Sequence, residues 1–184
     1  MRLPAAILCL ALAATTVQAQ VAISPKVGVS LSDMNKATAD VDTKGRLGYQ
    51  AGVDVRLGIG FYLQPGIHYQ QTGIEQTTLL GTFDLDVRSV HIPLLAGVKL
   101  GTGVAGLRLA AGPALTIVQS VRENDGGVTK DQLTERRLGG MAGIGLDLLG
   151  MSVDLSAELG MTRFFESGFD GKLRTFRLSA GLPF

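Results

Sequence analysis

The feature that most constrains the fold is a strict alternation of apolar and polar residues. From residue 151 to residue 162, apolar side chains occupy every odd position, and polar or small ones occupy every even position. Residues 88–100 repeat the pattern. Successive side chains of a β-strand point to opposite sides, so a period of two is typical of a strand with two different faces. The chain is therefore predicted to form amphipathic strands.

The same alternation predicts eight strands in one domain. They are expected at about residues 21–32, 45–57, 60–71, 86–100, 104–118, 135–149, 151–165 and 173–184. Polar stretches connect alternate pairs at residues 33–44, 72–85, 119–134 and 166–172, and tight turns lie at residues 58–59, 101–103 and 150. Long loops at one end and tight turns at the other indicate an up-and-down antiparallel meander.

Eight strands leave no unpaired edge if the sheet closes into a barrel. A soluble barrel of the lipocalin type lines its interior with the apolar face. An outer-membrane barrel reverses the two faces and presents an apolar band to lipid. The composition of the polar face distinguishes between these two classes.

The polar face combines large charged side chains with many glycines. Its charged members are Lys26, Asp54, Arg56, Lys99, Arg108, Asp147, Asp154, Glu158 and Arg177. A small residue opposite an arginine lets the guanidinium lie across a narrow lumen and pair with a carboxylate. A face in water has no need for so many glycines, which weaken strands. The middle of the apolar face carries no charge, as a lipid-facing surface requires, since a charge there costs about 2–4 kcal/mol.

The predicted fold class is therefore all-β: an eight-stranded antiparallel up-and-down transmembrane β-barrel with a polar, plugged lumen. Side chains just fill a barrel of eight strands, so an open diffusion pore is not expected. The nine charged residues include five bases and four acids. Because buried charges must be paired, we interpret them as a structural network of ion pairs. A proton or ion path is the alternative interpretation.

The first residues are typical of a secretory signal peptide. Residues 1–19 combine an early charge, a short apolar run and small residues before Gln20, so we expect cleavage there and a barrel domain over residues 20–184. A retained helical anchor would need about 17–25 apolar residues. The mature chain would be formally neutral and would lack the only cysteine, Cys9. Thiol chemistry and disulfides are thereby excluded, and nothing suggests nucleic-acid binding.

The last predicted strand also carries a targeting pattern. Apolar residues occupy alternate positions up to the aromatic end of the sequence, namely Phe176, Leu178, Ala180, Leu182 and Phe184. This pattern looks like the signal by which the barrel-assembly machinery recognises outer-membrane barrels. The alternative is an ordinary amphipathic strand that ends in phenylalanine. We expect an outer-membrane location with both termini in the periplasm.

Short motifs along the whole mature chain point to one family. They are residues 24–32 (SPKVGVSLS), 48–52 (GYQAG), 61–66 (FYLQPG), 90–95 (VHIPLL), 111–113 (AGP) and 139–146 (GGMAGIGL). In their order and spacing, the chain resembles the eight-stranded outer-membrane β-barrel family whose members are often called porin family proteins. The resemblance implies an outer-membrane location and carries no defined activity.

No convincing catalytic site emerges from the sequence. The two histidines, His68 and His91, fall on the inward face, and Ser89 lies about 6–7 Å from His91 along one strand, too far for a hydrogen bond. Residues 101–106 match G-x-G-x-x-G but lie between strands, where no helix begins to bind a phosphate. We expect no enzyme activity, no cofactor and no metal.

The expected function is structural or interactive. The expected partners are outer-membrane lipid, lipopolysaccharide and, during biogenesis, the barrel-assembly machinery; nucleic acid is excluded, and a monomer is expected. Arg136 and Arg137 lie near the expected outer interface, where lipopolysaccharide phosphates would be in reach. The alternatives are ligand binding or adhesion through the outer loops, or a narrow channel. Two further alternatives rank below these: a lipid A-modifying enzyme and a soluble periplasmic carrier.

Overall fold

The computed structural model describes residues 20–35, 42–45, 47–78, 81–102, 105–124, 136–161 and 172–184. Its strands are β1 (Val21–Asn35), β2 (Asp42–Gly45), β3 (Leu47–Leu57), β4 (Phe61–Thr78), β5 (Gly81–Thr102), β6 (Ala105–Asn124), β7 (Arg136–Leu148), β8 (Met151–Gly160) and β9 (Lys172–Gly181). No helix among these residues is long and apolar enough to cross a membrane. The predicted signal peptide lies outside the described residues.

The strands form a closed antiparallel barrel with eight positions. Both β2 and β3 pair with β4, so together they fill a single position. The first and last strands pair from Lys26 opposite Gly181 to Asn35 opposite Lys172, and β4 pairs with β5. Every other strand pairs with its neighbours in sequence. The predicted fold class is confirmed.

The two faces of the sheet lie as the alternation predicts. Outward side chains are apolar, and Phe61, Leu155 and Leu178 remain 85%, 53% and 50% exposed. Inward side chains are mostly polar and buried, and Lys26 and Arg108 are only 5% and 2% exposed. This distribution is the inverse of a water-soluble domain, and it fits a barrel surrounded by lipid.

Three predicted loops are partly strand, and the first of them, residues 33–44, includes the end of β1 and most of β2. Residues 72–85 were expected to form a loop, but β4 and β5 stay paired from Thr72 opposite Val87 to Thr78 opposite Gly81. Strand β6 likewise continues to Asn124, within the predicted loop 119–134. Backbone hydrogen bonds hold these extensions together. In the sequence the apolar residues Phe83 and Leu85 stand at odd positions, whereas Val90 and Ile92 stand at even ones, so the alternation of residues 86–100 does not continue into the hairpin.

The tight turns and both ends of the described chain share one end of the barrel, here called the turn end. The backbone N–H of Gly58 donates to the carbonyl of Gln20 at 3.1 Å, and Phe184 exchanges two hydrogen bonds with Ile23. Leu149 and Gly150 both have positive φ, 51° and 79°, as a two-residue type I′ turn requires. The opposite end, where the β4–β5 hairpin projects, is the loop end.

Candidate functional site

The candidate site is a network of ion pairs that crosses the lumen. Near the turn end, three cations from three strands converge on Asp147 of β7. Its carboxylate lies 3.1 Å from Arg56 Nη1, 2.9 Å from Lys99 Nζ and 2.8 Å from Arg108 Nε. One carboxylate thus joins β3, β5 and β6 to β7 through the interior.

Arg108 extends the network towards the middle of the barrel. Its Nη2 atom lies 2.8 Å from Asp154, which also lies 2.6 Å from Lys26 Nζ. Lys26 Nζ lies 2.7 Å from Asp54, whose other carboxylate oxygen lies 2.7 Å from His68 Nε2. Both lysine and arginine therefore bridge two carboxylates, and such multiple pairing offsets the cost of burying the charges.

A separate cluster lies nearer the loop end. Glu158 lies 2.7 Å from Arg177 Nη1 and 3.7 Å from His91 Nε2. The other ring nitrogen of His91 hydrogen-bonds with the Thr116 hydroxyl at 3.0 Å, and the rings of His91 and His68 are 6.4 Å apart. The nine charged residues predicted to face the lumen all lie inside the barrel, and each one belongs to one of the two clusters.

Glycines make room for the longest bridges. Gly145 of β7 lies opposite both Arg108 and Asp154 in the strand register, and a Cβ atom there would lie 2.8 Å from Arg108 Cζ. Gly181 of β9 lies opposite Lys26, and its Cβ would lie 2.6 Å from Lys26 Cγ. In both cases a side chain crosses the intervening strand to reach Asp154, and the missing side chain leaves space for this crossing.

The sequence analysis missed an apolar part of the interior. Tyr62, Val87, Leu95, Ala114 and Val118 are all buried inside the barrel. Arg56 stacks on the Tyr62 ring at 5.4 Å. Tyr62 occupies an inward position of the alternation. Because its neighbours Phe61 and Leu63 are also apolar, the sequence shows no contrast between the two faces at this point.

Among the described residues, one cavity lies inside the barrel and another lies at its turn end. The inner cavity has a volume of about 40 Å³ and is bounded by His68, His91, Tyr62 and Arg108 among others. At ~10–15 Å³ for each water, it holds about three waters. The second, here called the vestibule, has a volume of about 470 Å³ at the turn end and includes Arg56, Lys99 and Asp147 in its wall.

The two hydroxyls nearest to His91, those of Ser89 and Thr116, are buried inside the barrel. Ser89 Oγ accepts a hydrogen bond from Gln70 Nε2 at 3.0 Å, and no hydrogen bond is found between Ser89 and His91. Thr116, His91 and Glu158 have the order hydroxyl, imidazole and carboxylate, but Thr116 is only 3% exposed and lies inside the barrel. Within the described part of the chain, no group of three potential metal ligands is found.

The residues of the predicted assembly signal lie on the outer face of β9 and its continuation. Phe176, Leu178, Leu182 and Phe184 are 53%, 50%, 48% and 78% exposed, and Ala180 is also exposed. Recognition of these residues by the assembly machinery stays a prediction.

Fold and site together define the class: an integral outer-membrane β-barrel with a charge-filled lumen. The chain belongs to the outer membrane protein beta-barrel domain family, whose model matches residues 5–184. No curated protein matches the sequence significantly.

Solved structures of similar fold include an attachment invasion locus protein, an outer membrane protein and an outer membrane enzyme. Ail, the attachment invasion locus protein of Yersinia pestis, has 16% identity and a TM-score of 0.54 over 90% of this chain and 99% of Ail. OprG from Pseudomonas aeruginosa has 11% identity and a TM-score of 0.59 over 90% and 96%. The outer membrane enzyme PagL has 13% identity and a TM-score of 0.55 over 86% and 99%. At these identities the likeness establishes the fold alone.

The Gly145→Ala variant tests the crossing of Arg108 over β7. The added methyl group would displace the guanidinium from Asp154, so we expect the free energy of unfolding to fall by about 1–3 kcal/mol, as for other overpacked interiors. Reversible urea unfolding in lipid vesicles measures it. Gly60→Ala is the control, because a Cβ there has no atom within 4 Å. Equal stability of the two variants would contradict the crossing.

Proposed function

We propose that this protein is a sealed outer-membrane barrel with a structural or interaction role, and that it is neither an enzyme nor an open pore. The observation that carries the proposal is the interior. Ion pairs span the lumen from Asp147 to Asp54, and the inner cavity has a volume of only about 40 Å³. We further propose that a cleaved signal peptide directs export, and that the turn end faces the periplasm.

The loop end offers a surface for contact with partners. Strands β4, β5 and β6 have 18, 22 and 20 residues, whereas β7, β8 and β9 have 13, 10 and 10. The seven pairs from Thr72–Val87 to Thr78–Gly81 extend the wall by about 20 Å at ~3.3 Å per residue. A hydrogen-bonded wall keeps its shape, so it loses less conformational entropy on binding than a loop would.

Adhesion is a second candidate, favoured by this wall and by the likeness to Ail, an attachment invasion locus protein. The likeness to the outer membrane enzyme PagL keeps catalysis in view, and lipid A modification is the enzymatic alternative that the sequence left open. The burial of Thr116 and the hydrogen bond between Ser89 and Gln70 argue against it, because neither hydroxyl can reach a lipid. Contact with lipopolysaccharide remains part of the proposal, and Arg136 is exposed on the outer face.

Planar bilayers test the sealed lumen. Because charged side chains fill it, we expect the purified, folded protein to add no conductance to that of a protein-free bilayer. The matched control replaces Arg56, Lys99, Arg108 and Asp147 with serine, which removes the turn-end charges, and folding of both proteins is checked by their faster migration in unboiled gels. A stable unit conductance of the unaltered protein would contradict the proposal and favour a channel.

Peptide tags test the location and orientation. A tag inserted after Thr78, at the tip of the β4–β5 hairpin, is expected to bind antibody on intact cells. A tag inserted after Ile59, in a tight turn at the other end, is expected to bind only after the outer membrane is permeabilised. The reverse result would invert the orientation, and no surface signal from either tag would contradict display at the cell surface.

A further inference from the structure

The connected network at the turn end carries more positive than negative charge. It contains four cations and three carboxylates: Lys26, Arg56, Lys99 and Arg108 with Asp54, Asp147 and Asp154. The excess lies beside the vestibule. Lys26 contacts two carboxylates and Arg108 contacts two, whereas Arg56 and Lys99 share the single carboxylate of Asp147.

Arg56 has unused capacity to donate a hydrogen bond. Its side chain is only 8% exposed, and its Nε atom has no hydrogen-bond partner among the described residues. A buried donor without an acceptor costs about 1–3 kcal/mol, and more when it is charged. Arg56 also lines the vestibule, so its guanidinium borders the space that a ligand would enter from the turn end.

Lys99 is the part of the network nearest to solvent. Its side chain is 24% exposed, more than that of any other residue in these ion pairs. Gly58, Gly101 and Gly150, which have no side chains, also line the vestibule. Leu148 and Met151 also line the wall, and apolar surroundings strengthen the attraction between a cation and an anion.

We propose that the vestibule binds an oxyanion, specifically a phosphate group. A guanidinium and an ammonium side by side suit phosphate, since its oxygens accept hydrogen bonds from both at once. The volume of about 470 Å³ accommodates phosphate together with part of the molecule that carries it. The group can come from a soluble phosphate or from a phospholipid headgroup at the membrane surface.

Phosphate-dependent stability tests the site. The full folded chain in octyl glucoside is unfolded with urea at increasing inorganic phosphate, with sodium chloride holding the ionic strength constant. A ligand that binds only the folded state raises the midpoint in a saturable manner. We expect this rise for the unaltered protein, for Lys99→Arg and for Arg174→Gln, whose exposed arginine lies at the loop end. Lys99→Gln is expected to lose it.

Three results would overturn the proposal: equal midpoints in phosphate and chloride, a non-saturable change, or the same phosphate response in Lys99→Gln as in the unaltered protein. Arg56→Gln provides a second loss variant if Lys99→Gln does not fold. Short-chain phosphatidylglycerol, added without phosphate, then distinguishes the sources. If both ligands raise the unfolding midpoint, a phospholipid headgroup can occupy the site. If inorganic phosphate alone raises the midpoint, the site is restricted to soluble phosphates.

Discussion

A charge removed from water must meet an opposite charge, and the interior of this barrel depends on that requirement. Asp154 shows it most clearly, because it lies 2.6 Å from Lys26 and 2.8 Å from Arg108. These three residues belong to β8, β1 and β6, so one carboxylate ties together strands that are not neighbours in the sheet. The backbone ladder closes the barrel, and the ion pairs brace it from within.

The faces of the strands could be predicted from the sequence, whereas the partners inside could not. Alternation alone decides that Lys26 and Arg108 point inward. Which carboxylate each one meets depends on the register and on which strand lies between them, and neither is encoded locally. Gly145 is one local clue to these partners. A residue without a side chain opposite an arginine leaves space for the guanidinium to cross that strand. Alternation also failed in the β4–β5 hairpin, where the two strands stay paired beyond the predicted segments.

The two ends of the barrel differ in structure. At the loop end the wall of β4, β5 and β6 rises above the short strands, and this is where we place contact with partners. At the turn end the vestibule exposes Lys99 beside the buried guanidinium of Arg56. The ion-pair network lies between these two ends.

The central claim is that ion pairs across the lumen stabilise the barrel, and a double-mutant cycle of Lys26 and Asp154 tests it most directly. Lys26→Met and Asp154→Ala each leave a buried charge with fewer partners, and each is expected to lower the free energy of unfolding by about 3–5 kcal/mol. The double variant should lose less than the sum, with a coupling energy of about 1–3 kcal/mol. Losses that add to within ~0.5 kcal/mol would contradict the account.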